Sequence, residues 1–497
     1  MKHPSVLAST PAFLVLLGAA SARSAVLSVN LSDSIRPVTH AASGSLYGLT
    51  ETLPSDYSAM VAPLKPFMFT APALSGSGHQ QGVAASAIPI SAKLAGTTGK
   101  VMVRLADVLP GWPYTWPGFS SWKTSITSVI TSKIASGRNN YYGYELWNEP
   151  DGTWQSSNGS FESTLWKPTY DAVHAADPSA KIIGPSYSYY SSSSMKTFLT
   201  YAKANNCLPD IICWHQWGAA SLSGNVDNYR SLETSLGISP RGISINEYSS
   251  KTSDPYEGCP GYSVPLIAKF ERKGVESACI SWWFTGLPGR LGSLLTSGNA
   301  KGGGWHLYKW YGDMTGAMVK TTPPSDASDG VDAFASLDKS AKYASIVLGG
   351  NSVGSVTVNI SGIPASFGNS VIAKLEQVTW TDKDTPVTGT TVVSTTTYPV
   401  SGGSISVPVN IANKFYGYRI YLTSATPDGV LTSNLHSVAA GSYQIFDAQG
   451  KKLGSVSMGA GEDLVSAVGK TFAHPGVYLA RSSQAMDVTQ KVVVTHP

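Results

Sequence analysis

Two glutamates, Glu149 and Glu247, each follow an asparagine at the end of a short apolar run: Tyr144-Glu145-Leu146-Trp147-Asn148-Glu149-Pro150 and Gly242-Ile243-Ser244-Ile245-Asn246-Glu247-Tyr248. The aromatic and aliphatic residues give both runs the composition of buried strands, and Pro150 stops the first. Two carboxylates at strand tips are what cleavage of a glycosidic bond requires, one to protonate the leaving oxygen and one to attack or to activate water. Either glutamate alone could equally be a helix cap or half of an ion pair. Its repetition in the same Asn-Glu setting, inside an aromatic-rich half of the chain, favours the chemistry.

The elements around these tips alternate. Ser45–Leu49, Phe67–Thr70, Val101–Ala106 and the run from Tyr141 read as strands one to four; Lys181–Gly184, Asp210–His215, the Glu247 run and Ser277–Phe284 read as five to eight. Helical spacing fills the intervals, as in Trp122, Ile126, Val129, Ile130 and Ile134, with Trp305–Met314 closing the series. Ala84–Leu94 is a weaker helix because Pro89 interrupts it. Eight strands joined by crossover helices predict an α/β fold, a (β/α)8 TIM barrel, with Glu149 and Glu247 at the carboxyl ends of strands four and seven, where such barrels carry their chemistry.

After Gly316 the helical periodicity gives way to short alternating strands between Gly, Ser, Asn and Thr turns, which predicts a β-sandwich. It has a single Trp and no linker before it, which favours a structural flank over a binding module. The expected organisation is a signal peptide over 1–22, the catalytic barrel with an N-terminal strand over 23–316, the β-sandwich over 317–424 and a small C-terminal β domain over 425–497.

With 497 residues the chain exceeds one ordinary core. Only 13% of residues are charged, the net charge is +4, and no basic run stands out, which argues against nucleic acid or an anionic membrane as partner. Met1-Lys2-His3, the apolar stretch Phe13–Leu17 and Ala20-Ser21-Ala22 read as an export signal, and the stretch is short of the ~20 residues a membrane span needs. A secreted, extracellular or cell-surface protein is expected. Cys207, Cys213, Cys259 and Cys279 match no zinc spacing and read as buried free thiols, with a disulfide as the alternative in an exported protein.

The Trp-Asn-Glu-Pro and Asn-Glu-Tyr strand ends resemble the acid/base and nucleophile motifs of clan A glycoside hydrolases. Within that clan the chain is most similar to glycoside hydrolase family 39, on a short strand leading into the barrel, Trp214-His215-Gln216-Trp217 closing strand six, and Gly304-Trp305-His306-Leu307-Tyr308-Lys309-Trp310-Tyr311-Gly312 before the sandwich. The resemblance implies retention of configuration, with Glu149 as acid/base, Glu247 as nucleophile and Asn148 on the sugar's 2-hydroxyl. It also implies no metal and no cofactor, polysaccharide or oligosaccharide as the partner, and β-xylosidase activity as the default. The last seventy or so residues resemble bacterial secretion-sorting domains, with secretion machinery or the cell surface as their implied partner. A carbohydrate-binding surface protein on a glycosidase scaffold is the alternative.

Other residues are expected at the site. Arg104, a lone cation in an apolar strand, either supports Glu247 or pairs elsewhere. His215 either bonds a glutamate or a sugar hydroxyl, or is a satisfied core histidine. Trp112, Trp116, Trp154, Tyr187, Trp217, Trp282 and Trp283 are candidate sugar platforms, because apolar C–H faces of sugars stack on rings. His79 joins them from a Gly/Ser-rich loop. For Trp147 and Trp214, within strands, core packing is a serious alternative, and for Trp310 it is favoured.

Overall fold

A computed structural model of the protein describes residues 24–73, 86–251, 253, 255–281, 288–425, 441–447, 450–459, 464–472, 476–482 and 489–494. The proposed signal peptide, His79, Trp282 and Trp283 lie outside these residues. The chain divides into two compact units, Met1–Ala425 and Thr426–Pro497.

The strands of the first half are β1 (Ala25–Pro37), β2 (Gly44–Leu46), β3 (Met68–Pro72), β4 (Lys100–Arg104), β5 (Tyr141–Glu145), β6 (Ile182–Tyr187), β7 (Ile211–Trp214), β8 (Gln216–Trp217), β9 (Gly242–Ser249) and β10 (Ser277–Ile280). All but β1 lie in one sheet of order β10-β2-β3-β4-β5-β6-β7-β9-β8, and a further β10–β9 pairing closes it. Eight parallel strands thus form the TIM barrel, with the two-residue β8 added beside the tip of β9. The helices are α1 (Tyr57–Met60), α2 (Ala87–Lys93), α3 (Phe119–Ala135), α4 (Pro150–Thr153), α5 (Lys167–Ala176), α6 (Ser192–Ala204), α7 (Leu222–Leu236), α8 (Pro260–Arg272) and α9 (Gly303–Gly312). The apolar stripe of α3 buries Trp122, Ile126, Val129 and Ile130 against the barrel, as its spacing predicts. Ile134, expected in the same stripe, is exposed.

The sandwich strands are β11 (Ala317–Thr322), β12 (Asp332–Asp338), β13 (Tyr343–Gly349), β14 (Gly354–Ser361), β15 (Ser370–Val378), β16 (Thr391–Pro399), β17 (Ile405–Ile411) and β18 (Gly417–Ser424). Their sheet runs β16-β15-β18-β13-β12-β11-β1-β14-β17. Apolar residues from both ends of that order, among them Val371, Ile420, Val358 and Val409, share one core, so the sheet is folded over into two layers. β1, which the sequence suggests as a strand leading into the barrel, is inserted here, antiparallel to β11 and parallel to β14. Leu27, Val29 and Leu31 place their side chains in the sandwich core.

Barrel and sandwich pack at van der Waals limits where α8 and α9 begin. A Cβ on Gly261 would sit 1.9 Å from the carbonyl oxygen of Lys414, and one on Gly303 2.2 Å from that of Thr379, so only glycine fits at either point.

The second unit holds β19 (Gly441–Phe446), β20 (Lys452–Met458), α10 (Leu464–Thr471), β21 (Gly476–Ser482) and β22 (Thr489–Val494), in the antiparallel order β20-β19-β21-β22. Tyr443, Ile445, Val456, Met458, Leu464, Val468 and Tyr478 form its small core. Neither β20 nor α10 is anticipated by the sequence reading. No described helix is long and apolar enough to cross a membrane.

Candidate active site

β4 ends on Arg104 and β5 on Glu145, which are register partners across the two strands. Beyond β5 the chain turns sharply. Glu149 takes a left-handed conformation, φ +52°, and Pro150 opens α4 directly after it. For a residue with a Cβ this geometry costs about 1–3 kcal/mol and persists only where the surroundings hold it. Here the Glu149 N–H donates to the Ser186 carbonyl at 2.9 Å, Thr153 Oγ1 donates to the Asn148 carbonyl at 2.7 Å, and the Trp147 indole donates to Thr153 Oγ1 at 2.9 Å.

Glu247 lies within β9, 2% exposed, and His215 follows β7, fully buried. His215 Nδ1 stands 3.0 Å from Glu149 Oε1 and 3.4 Å from Glu247 Oε2. The two carboxylates therefore face one another across one imidazole edge. One donor atom from each of the three residues falls within 4.8 Å of the others, so among the described residues they also form a group able to hold a metal ion. Burial pulls the His215 pKa down, but the charge of Glu247 and then the hydrogen bond and charge of Glu149 outweigh it, and the net shift is upward.

Arg104 reaches Glu247, one of the two placings that the sequence offers, but its nearer partner is Glu145. Its Nε donates to Glu145 Oε2 at 2.7 Å and its Nη1 to the Tyr47 hydroxyl at 3.1 Å, whereas Nη2 reaches Glu247 Oε2 at only 3.9 Å. The guanidinium thus serves Glu145 first and Glu247 second, because register pairing sets Glu145 beside it. Tyr47 donates to Asp107 at 2.7 Å and Tyr114 to the same carboxylate at 3.0 Å, extending a buried polar network beneath the site. Burial, outweighed by Glu145, Tyr47, Asp107 and Glu247 in that order, leaves Arg104 raised above its ordinary value and charged at every working pH. Glu145, Tyr47 and Asp107 escape the sequence reading. The available signal was a carboxylate and a cation in adjacent apolar strands, since neither remains buried without a partner.

Asn148 is nearly buried and its Oδ1 accepts no hydrogen bond among the described residues. Asn246 instead turns into the barrel, where its Oδ1 accepts from the Cys213 thiol at 2.8 Å. All four cysteines are free and buried.

The aromatic residues separate into groups. Trp112 is 41% exposed on the loop after β4. Trp116 and Trp154 are partly buried, 5.1 Å apart between ring centres, and both pack on the buried Trp147, which also meets Trp122. Their edge-to-face packing supports the strand end that carries Glu149 as well as any sugar contact. Trp217, half-buried, donates its indole to the Ser188 carbonyl at 3.1 Å. Tyr187 falls beyond strand five as read from the sequence, but β6 continues through it, and the ring is buried near Phe198. Trp214 and Trp310 are buried core residues.

No protein-family model matches the sequence. Over 291 residues, 56% of this chain and 25% of the other, it is 30% identical to a 3-O-alpha-D-galactosyl-alpha-L-arabinofuranosidase of Bifidobacterium longum subsp. longum. Over 356 residues, 62% of this chain and 36% of the other, it is 26% identical to a 3-O-beta-L-arabinopyranosyl-alpha-L-arabinofuranosidase of Bifidobacterium pseudocatenulatum. The chain thus spans about a quarter to a third of the length of these relatives. Among solved structures, a monomeric beta-xylosidase from Caulobacter crescentus aligns at TM-score 0.58 and 16% identity, covering 81% of this chain and all of the other. A GH39 enzyme from Xanthomonas axonopodis pv. citri aligns at TM-score 0.58 and 14% identity, covering 81% and 98%. N2152 from Neocallimastix frontalis aligns at TM-score 0.79 and 48% identity, covering 81% of this chain and 100% of that one. The protein belongs to the family of N2152, built on the barrel-and-sandwich fold that it shares with the GH39 enzyme.

Proposed function

We propose that the protein is a retaining glycoside hydrolase that removes α-L-arabinofuranosyl groups from plant polysaccharides or oligosaccharides. The observation that carries the reading is the pair Glu149 and Glu247, at the ends of barrel strands four and seven, facing each other across His215. One oxygen of each lies within 4.8 Å of one of the other, a close approach in keeping with the ~5–5.5 Å carboxylate separation of retention.

In this mechanism Glu247 attacks the anomeric carbon while Glu149 protonates the departing oxygen, giving a glycosyl ester on Glu247. Glu149 then takes a proton from water, which attacks the same carbon and releases the sugar with its original configuration. Asn148, whose amide oxygen accepts no hydrogen bond among the described residues, is suited to the 2-hydroxyl. His215 Nδ1 stands within reach of both carboxylates and is placed to orient them.

The sugar preference rests on the two Bifidobacterium relatives, both of which carry arabinofuranosidase names. It replaces the β-xyloside expected from the wider family. Export is part of the proposal, supported by the apolar N-terminal stretch, and a sorting role for residues 425–497 goes with it.

The test is a panel of aryl α-L-arabinofuranoside, β-L-arabinopyranoside and β-D-xyloside, followed by arabinoxylan and arabinogalactan with chromatography of the products. Arabinose or an arabinose-ended disaccharide is the expected product. Xylose alone would return the assignment to β-xylosidase, and glycan binding without any product would favour a carbohydrate-binding protein.

A further inference from the structure

The loop that follows His215 is held from outside the barrel. After Trp217 the chain passes through Gly218, φ +83°, and reaches α7 at Leu222. The helix has no capping bond from its own N-cap residue, Ser221. Instead the N–H groups of Ala219 and Ala220 both donate to one oxygen of Asp329, at 2.5 and 3.1 Å. Asp329 lies in the sandwich, in the connection between β11 and β12, more than a hundred residues away in sequence.

That connection is itself anchored on both sides of Asp329. Arg272 of α8 binds Asp326 at 2.7 Å and Asp332 at 2.6 Å, Lys269 binds Asp332 at 3.1 Å, and the Asn351 N–H donates to the Asp329 carbonyl at 2.8 Å. The carboxylate is therefore presented by a braced segment, and the loop is the part that gains its position from the contact.

The pinned loop reaches the segments that carry both carboxylates. Gly218 donates its N–H to the Ser249 carbonyl at 2.9 Å, and Gln216 and Trp217 pair with Tyr248 and Ser249 just beyond Glu247. On the other side, the Trp217 indole bonds Ser188 while Ser186 accepts the Glu149 N–H. His215, between them, touches both glutamates.

We propose that Asp329 is a positioning residue: the sandwich sets the place of His215 and Trp217, and through them of the Glu149–Glu247 pair. This rests on the hydrolase reading for its consequence in catalysis and on geometry alone for its consequence in the loop. The sandwich is then a working part of the site as well as a flank.

Two readouts separate these. Hydrogen exchange of the amides of residues 215–222 in the full chain reports the loop whether or not the protein is an enzyme. In Asp329→Ala these amides should exchange about tenfold faster or more, while those of β3 and β4 stay unchanged. Asp329→Asn, which keeps an acceptor oxygen, should stay near wild type. In the kinetics, D329A should lose about tenfold or more in kcat on an aryl arabinofuranoside and shift the pH profile, and D329N should recover most of both. Unchanged exchange in D329A overturns the proposal, as does faster exchange with wild-type kcat and pH profile. If D329A fails to fold, Asp329→Ser, with one weaker acceptor, is read by the same criteria. A wild-type chain inactive on every glycoside would defeat the hydrolase reading and leave the exchange experiment to judge the loop.

Discussion

Arg104 donates its Nε to Glu145 at 2.7 Å, while its Nη2 reaches Glu247 at 3.9 Å. A cation that would lower the energy of an ionised nucleophile is thus mostly spent on a neighbouring strand's carboxylate. Glu145→Gln keeps the shape and an acceptor for Nε but releases that charge toward Glu247. The acidic limb of kcat/KM should move to lower pH. Arg104→Met should move it upward and also destabilise the fold by about 3–5 kcal/mol, because Glu145 is left buried without its partner. Urea denaturation and pH–rate profiles check both; an unmoved acidic limb in E145Q would show that Arg104 does not act on Glu247.

The two glutamates of the proposed mechanism should fail in different ways. Glu247→Gln should abolish turnover on every substrate, since no glycosyl ester can form. In Glu149→Gln an aryl glycoside with a good leaving group should still glycosylate Glu247, and the ester should accumulate for lack of a base. Added azide, which needs no base, should restore turnover and yield a glycosyl azide of retained configuration. Intact-protein mass spectrometry detects the ester, and proton NMR of the wild-type product reads the first-formed anomer. An inverted anomer would remove the nucleophile role from Glu247.

The His215 pKa is raised above its ordinary 6.5, with burial outweighed by Glu247 and Glu149. A raised folded-state value stabilises the protein fully below the unfolded value, and that stability is lost as pH rises through the folded one. The difference in thermal midpoint between wild type and His215→Gln should therefore be largest at about pH 5–6 and shrink above about pH 7. Calorimetric scans across pH test this, and a difference that widens with rising pH would contradict the assignment.

Trp112 and Trp147 mark the two ends of the aromatic series at the catalytic face, one exposed and one buried. Trp147→Ala should cost about 3–5 kcal/mol, since its neighbours Trp116, Trp122 and Trp154 cannot close the cavity. Trp112→Ala should leave stability within about 0.5 kcal/mol and raise KM on oligosaccharides more than on aryl glycosides. An unchanged KM ratio would exclude Trp112 from substrate contact.

Sequence alone determined the eight barrel strands and the setting of Glu149 and Glu247 toward the carboxyl ends of two of them, Glu149 in the turn beyond β5 and Glu247 near the end of β9. Those features are local: short apolar runs, helical spacing between them, and the Asn-Glu pattern survive in one dimension. β16 is not legible in the same way, because Thr391–Pro399 is exposed along nearly its whole length and carries no alternation to read. Tertiary structure decided the rest. Only the folded register sets Arg104 against Glu145, only the assembled sandwich inserts β1 between β11 and β14, and only packing turns Trp154 and Trp116 onto Trp147. Asp329 meets Ala219 and Ala220 for the same reason. Such contacts join residues far apart in the chain, and composition around either partner does not specify which distant group will satisfy its charge, its ring or its hydrogen bonds.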